Sequence, residues 1–106
     1  MDVYSIKDFK AGWFLGDFEP SLLRTKDFEV AYHQYASGQY WDTHTHRYTT
    51  EYNVLVDGEM SVCDRHLYAG DVFVIHPGEV AAPIYHTDCK VIIVKVPSIP
   101  GDKIIL

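Results

Sequence analysis

Eight short runs rich in β-branched and aromatic residues, near 28–35, 40–46, 51–56, 59–63, 66–68, 71–75, 80–86 and 90–96, are separated by Gly, Pro, Asp and Asn. Turn signals this closely spaced leave no room for a helix of ordinary length, so the chain is predicted to be all-β. The sharpest signal is Asp57-Gly58, between Tyr52-Asn53-Val54-Leu55-Val56 and Glu59-Met60-Ser61-Val62-Cys63. Both residue types tolerate the positive φ that a two-residue hairpin requires. Tyr68-Ala69-Gly70-Asp71 and His76-Pro77-Gly78-Glu79 mark two further turns. Strands this short and this numerous favour a double-sheet jelly roll or a barrel. A short piece at 5–10 is the one helical candidate.

The 106 residues make one small domain, 1–106. A hydrophobic content of 47% supports a folded core rather than disorder. The formal net charge of −6 argues against a nucleic-acid partner, which calls for a basic footprint. No apolar run reaches the length of a membrane span, and 1–7 lack the pattern of a secretory signal, so a cytoplasmic location is expected. Cys63 and Cys89 are too few for a disulfide framework and read as small packed thiols.

The chemistry concentrates in Gly38-Gln39-Tyr40-Trp41-Asp42-Thr43-His44-Thr45-His46-Arg47-Tyr48-Thr49-Thr50-Glu51. Residues two apart on a strand project from one face, so His44 and His46 converge. A reversal through 47–50 brings Glu51 alongside them. Two neutral imidazoles and a carboxylate suit a divalent ion and leave positions open for water, oxygen or substrate. Fe, Mn, Ni, Co and Zn all fit such a set. Asn53 shares the face of Glu51, and Tyr40 shares parity with His44 and His46. Together with His33 and His76 they are candidates for the wall of a pocket, and His86 is a weaker one. His66, Glu29, Asp64 and Asp88 read as solvated surface groups.

Gly38, His44, His46, Glu51 and Gly58 match in type and spacing the first sequence motif of the cupin superfamily. Gly70-Asp71-Val72-Phe73-Val74-Ile75-His76-Pro77-Gly78 resembles part of the second motif. Where many cupins supply a third histidine, three residues after Gly78, this chain has Ala81. Gly12-Trp13-Phe14, Phe18-Glu19-Pro20-Ser21, Phe28-Glu29-Val30-Ala31, Val94-Lys95-Val96-Pro97 and Asp102-Lys103 are similar to segments of small single-domain cupins with no assigned reaction. The resemblance covers roughly 28–96. It implies a double-stranded β-helix, or jelly-roll barrel, with a divalent metal held by His44, His46 and Glu51 inside it. It also implies a homodimer, with segment 1–27 packing on the barrel or on the partner.

The expected function is a metalloenzyme acting on a small metabolite, either an isomerase or epimerase on a sugar-like substrate or a dioxygenase. The alternatives are a non-catalytic metabolite-binding module and a metal-free isomerase using a histidine base.

Overall fold

The computed structural model describes residues 1–39 and 41–106. Among these residues ten strands run in chain order: β1 (Trp13–Leu15), β2 (Glu29–Tyr35), β3 (His44–His46), β4 (Thr50–Asp57), β5 (Glu59–Val62), β6 (Arg65–Tyr68), β7 (Val72–Ile75), β8 (Ile84–Tyr85), β9 (Cys89–Val96) and β10 (Lys103–Ile105). Two 3₁₀ turns, Ile6–Asp8 and Lys10–Gly12, precede them. Ser5 caps the first, and its hydroxyl accepts from the Lys7 amide while Asp8 reaches back to the Ser5 amide.

The strands form two layers. One is an antiparallel five-stranded sheet in the order β1-β2-β9-β4-β7. The other combines β10-β3 with β6-β5-β8. Reciprocal backbone hydrogen bonds between His44 and Ala81 join these two pieces, because the segment leading into β8 lies directly beside β3. Two curled sheets facing each other across one core make an all-β double-stranded β-helix.

Alternation decides what goes inside. Along β4, Glu51, Asn53 and Leu55 are buried while Tyr52, Val54 and Val56 are exposed. Leu55, Met60, Val62, Leu67, Ile75, Ala81, Tyr85, Cys89, Val91 and Ile93 form one continuous core. Fully burying a side chain such as Leu55 stabilises the fold by about 1.5–3 kcal/mol. The hairpin between β4 and β5 turns on Gly58 alone, at φ +99°. A Cβ there would lie 2.2 Å from the carbonyl oxygen of Asp88, so glycine is required by space as well as by conformation.

Two strands were not expected. Trp13–Leu15 extends the five-stranded sheet along β2, and Lys103–Ile105 pairs with β3. The expected strand at 40–46 is shorter, His44–His46, and that at 80–86 is reduced to Ile84–Tyr85 with an isolated bridge at Ala81. The N-terminal segment folds back on its own sheet: the Asp17 amide donates to the Ser98 hydroxyl, which donates to the Glu29 carboxylate. Glu29, expected at the surface, is therefore buried, and burial raises its pKa against the opposing pull of Lys95. Both cysteines are free thiols, Cys89 in the core and Cys63 exposed. Among the described residues no helix is long and apolar enough to cross a membrane.

Candidate functional site

A cavity of about 150 Å³ opens between the layers at the β3 end. His44 and His46 enter it from β3, Glu51 and Asn53 from β4, and His33 and Tyr35 from β2. Both β3 imidazoles are buried because β3 is covered on one side by β10 and on the other by the Ala81 segment. The reversal from His46 to Glu51 is held by Asp102, whose carboxylate accepts from the amides of Tyr48 (2.9 Å) and Thr49 (3.0 Å). Burial alone would raise the Asp102 pKa, but these amides outweigh it and hold the carboxyl below its ordinary range.

The two histidines have different surroundings. His44 Nδ1 lies 2.8 Å from the carbonyl oxygen of Asp42. A carbonyl only accepts, so Nδ1 carries the proton and Nε2 presents its lone pair. His46 Nε2 is buried with no hydrogen-bond partner among the described residues. Glu51 Oε2 lies 3.7 Å from it. That separation is too long to hold a proton against desolvation. Burial, reinforced by Lys95 and by His44, drives the His46 pKa down to about 4. Burial lowers His44 as well. Both rings are therefore neutral at physiological pH, the form that a metal ion or a proton in transfer requires.

The three residues share a cavity without forming a closed cage. The His44 and His46 ring centroids are 5.2 Å apart, nearly perpendicular. Among the described residues no group of three His, Cys, Asp or Glu side chains stands close enough to hold a metal ion as placed. Two ligands on a first-row ion with bonds of about 2.0–2.1 Å lie about 3–3.5 Å apart, so a small rotamer change would close His46 and Glu51 on one. The donor set fits a divalent ion: two neutral imidazoles, a carboxylate, and a buried ring nitrogen lacking any other partner. Ala81 sits directly opposite His44 and lines the same cavity, which locates the space that a third histidine would fill.

Of the other candidates, His33 and Asn53 line the cavity. Asn53 is buried, with one long contact of 3.4 Å from its amide nitrogen to the Glu51 carbonyl. His33 Nδ1 hydrogen-bonds to the Tyr35 hydroxyl, and burial lowers its pKa. His76 does not line the cavity: it follows β7 into an exposed turn, where its amide donates to the Glu79 carboxylate. His86 is outside as well, stacked on His66 and bonded to the Ser61 hydroxyl. Tyr40 lies outside the described residues.

Several lining residues were missed in the sequence. Tyr35 stacks on Tyr85 at 4.2 Å, and Trp13 and Trp41 close the aromatic wall around them. Burial pushes the Tyr35 pKa up to about 12 and raises Tyr85 further, so both phenols stay protonated. Lys95 and Lys103 also line the cavity. Burial lowers the Lys103 pKa, and the nearby Lys95 charge adds to the effect. Lys95 was findable, since it occupies the inward parity of Val91 and Ile93. Lys103 was not, because β10 carries no alternation long enough to read.

The sequence matches no family model and no curated protein. Solved structures do match. A protein with a double-stranded β-helix domain from Klebsiella pneumoniae aligns with 97% of this chain and 89% of its own, at 20% identity and TM-score 0.72. The DMSP lyase DddQ from Ruegeria pomeroyi aligns with 88% of this chain, which spans 49% of that protein, at 15% identity and TM-score 0.72. An RmlC-like cupin from Shewanella frigidimarina aligns over 72% of this chain and 71% of its own, at 21% identity and TM-score 0.64. The chain has the cupin fold, as the first motif implies.

Proposed function

We propose that this protein is a small metal-binding enzyme of the cupin fold that isomerises or epimerises a small metabolite, with His44, His46 and Glu51 as the metal-holding residues. The observation that carries the reading is the buried Nε2 of His46, without a partner among the described residues and 3.7 Å from Glu51, in a cavity shared with His44. An unpaired polar atom in an apolar interior costs about 1–3 kcal/mol, and a bound ion would remove that cost. When bound, a divalent ion supplies a Lewis acid. The chain itself would supply proton transfer through His33, which is neutral, oriented by the Tyr35 hydroxyl, and part of the lining of the same cavity. This favours movement of a proton on carbon over oxygen activation.

Elemental analysis of the purified protein and of His44→Ala tests the metal. About one equivalent, lost in the variant, is expected. Incorporation of solvent deuterium into candidate sugars and hydroxy acids tests the reaction. Oxygen consumption without deuterium incorporation would favour a dioxygenase. Metal-free protein that still exchanges deuterium would favour a histidine base acting alone.

The reading includes a homodimer. On the outer face of the five-stranded sheet, Tyr52, Val54 and Val56 of β4 lie beside Val72 and Val74 of β7 and Ile92 and Val96 of β9, all exposed. A monomer rarely exposes so continuous an apolar surface. The occupant that matches this twisted apolar patch, with Lys90 at its margin, is another copy of it, packed about a two-fold axis. Light scattering is expected to give twice the chain mass, and Val54→Lys is expected to halve it.

A further inference from the structure

Lys95 and Lys103 occupy related places. Lys95 on β9 is the direct cross-strand partner of Glu51, and Lys103 on β10 is the direct cross-strand partner of His46. Direct antiparallel partners project to the same side, so each ammonium stem leaves the backbone beside one candidate metal-holding residue. Both lysines line the cavity. Lys95 Nζ stands 4.8 Å from the ring centre of Trp13, and Lys103 Nζ 4.7 Å from that of Trp41. These contacts orient the stems without neutralising the charges. None of the ion pairs among the described residues includes either lysine. With the imidazoles neutral, the cavity lining carries two ammonium groups against the single carboxylate of Glu51. A divalent ion would increase that positive excess.

We infer that Lys95 and Lys103 form a clamp for the carboxylate of a small organic acid, whose second oxygen group reaches the His46–Glu51 end of the cavity. The inference rests on the reading of this cavity as the ligand site, and it holds with or without the metal. Size narrows the acid. A cavity near 150 Å³ encloses a molecule about as large as benzene, which corresponds to an acid of about three or four carbons. A carboxylate suits the site better than a phosphate. Among the described residues, no arginine lines the cavity and the only helical pieces are 3₁₀ turns, so neither a guanidinium fork nor a helix N-terminus is present. Two charge-assisted hydrogen bonds from separate ammonium groups satisfy one carboxylate.

The test uses lactate and its neutral isostere lactamide on the full chain. Binding is followed by NMR titration and by emission from Trp13 and Trp41, the only two tryptophans. Lactate is expected to bind at least about tenfold more tightly than lactamide, and Lys95→Met or Lys103→Met to remove most of that preference. Equal binding of lactate and lactamide, or full lactate affinity in both folded variants, overturns the clamp. Inorganic phosphate displacing lactate at equal or lower concentration overturns the carboxylate assignment. If circular dichroism shows the variants unfolded, the lactate preference of the wild type and its loss in high salt decide the matter. Metal content is measured on the same samples. Lysine-dependent lactate binding without metal defeats the metal reading alone. Bound metal with no lactate preference defeats the clamp alone.

Discussion

The inward side chains of β4 run from Glu51 through Asn53 to Leu55, and those of β9 from Lys95 through Ile93 to Val91. Two adjacent strands thus change from charged to apolar within three inward positions, and the roll has a polar end and a dry end. At the dry end Leu55 and Cys89 are wholly buried in the continuous core, beyond the cavity lining. At the polar end the layers are held apart around a cavity, and buried groups such as His46 Nε2 go without partners among the described residues. Stability is concentrated at one end, and the candidate site lies at the other. A cavity with unsatisfied donors and acceptors can be maintained because the neighbouring core supplies the free energy to hold it.

The largest test of this division lies at the dry end. Leu55→Ala is expected to cost about 2–5 kcal/mol, because the rigid sheet around it cannot collapse onto the void. A urea titration reads the loss, and a cost below about 1 kcal/mol would mean that the dry end is not the anchor.

At the polar end, stability is expected to reside in the backbone support rather than in the reactive groups. Asp102→Ala should cost about 1.5–3 kcal/mol, toward the lower figure given its partial exposure, since it frees the amides of Tyr48 and Thr49. It should also reduce metal content, because the reversal sets Glu51 against His46. Metal retained at the wild-type level would show that the turn does not position the site.

A smaller effect is expected at Ala81. Ala81→His adds an imidazole opposite His44 and should tighten metal binding by about tenfold, equivalent to about 1.4 kcal/mol. Competition with a chelating dye measures this. Unchanged affinity would place the ion elsewhere in the cavity.

The smallest effect is that of mild acid on the metal-free protein. The His46 pKa is depressed to about 4 from an unfolded value near 6.5, so the unfolded state binds the extra proton first. Its contribution to stability is complete above about pH 6.5 and is lost progressively as pH falls toward 4. Between pH 7 and pH 6 the loss from His46 is expected to be under about 1 kcal/mol. His33 and His44 act in the same direction. Denaturant midpoints at the two pH values measure it, and a midpoint that rises on acidification would reverse the assignment.

Local pattern was enough for much of this molecule. Period-two alternation, the turn at Gly58 and the spacing of His44, His46 and Glu51 are properties of neighbouring residues. A strand's two faces and a glycine's freedom at positive φ follow from covalent geometry. The places of the eight expected strands, two of them much shorter than expected, and the placement of the two imidazoles on one buried face of β3 were therefore legible in the chain itself. Partnerships between distant segments were not. Glu29 was read as a surface charge because nothing near it in sequence reveals the Ser98 hydroxyl that receives it. His76 was a candidate for the pocket wall because it lies on the stretch where a further ligand was sought, but β7 stops at Ile75 and the chain leaves the cavity there. Lys103 reached the cavity only when β10 paired with β3, a contact across more than fifty residues with too short a strand to signal it. Residue types and their alternation determined that this chain makes a β roll with imidazoles inside. Only the closing of one layer over the other decided which charges face them, because burial and pairing depend on groups that the chain brings together last.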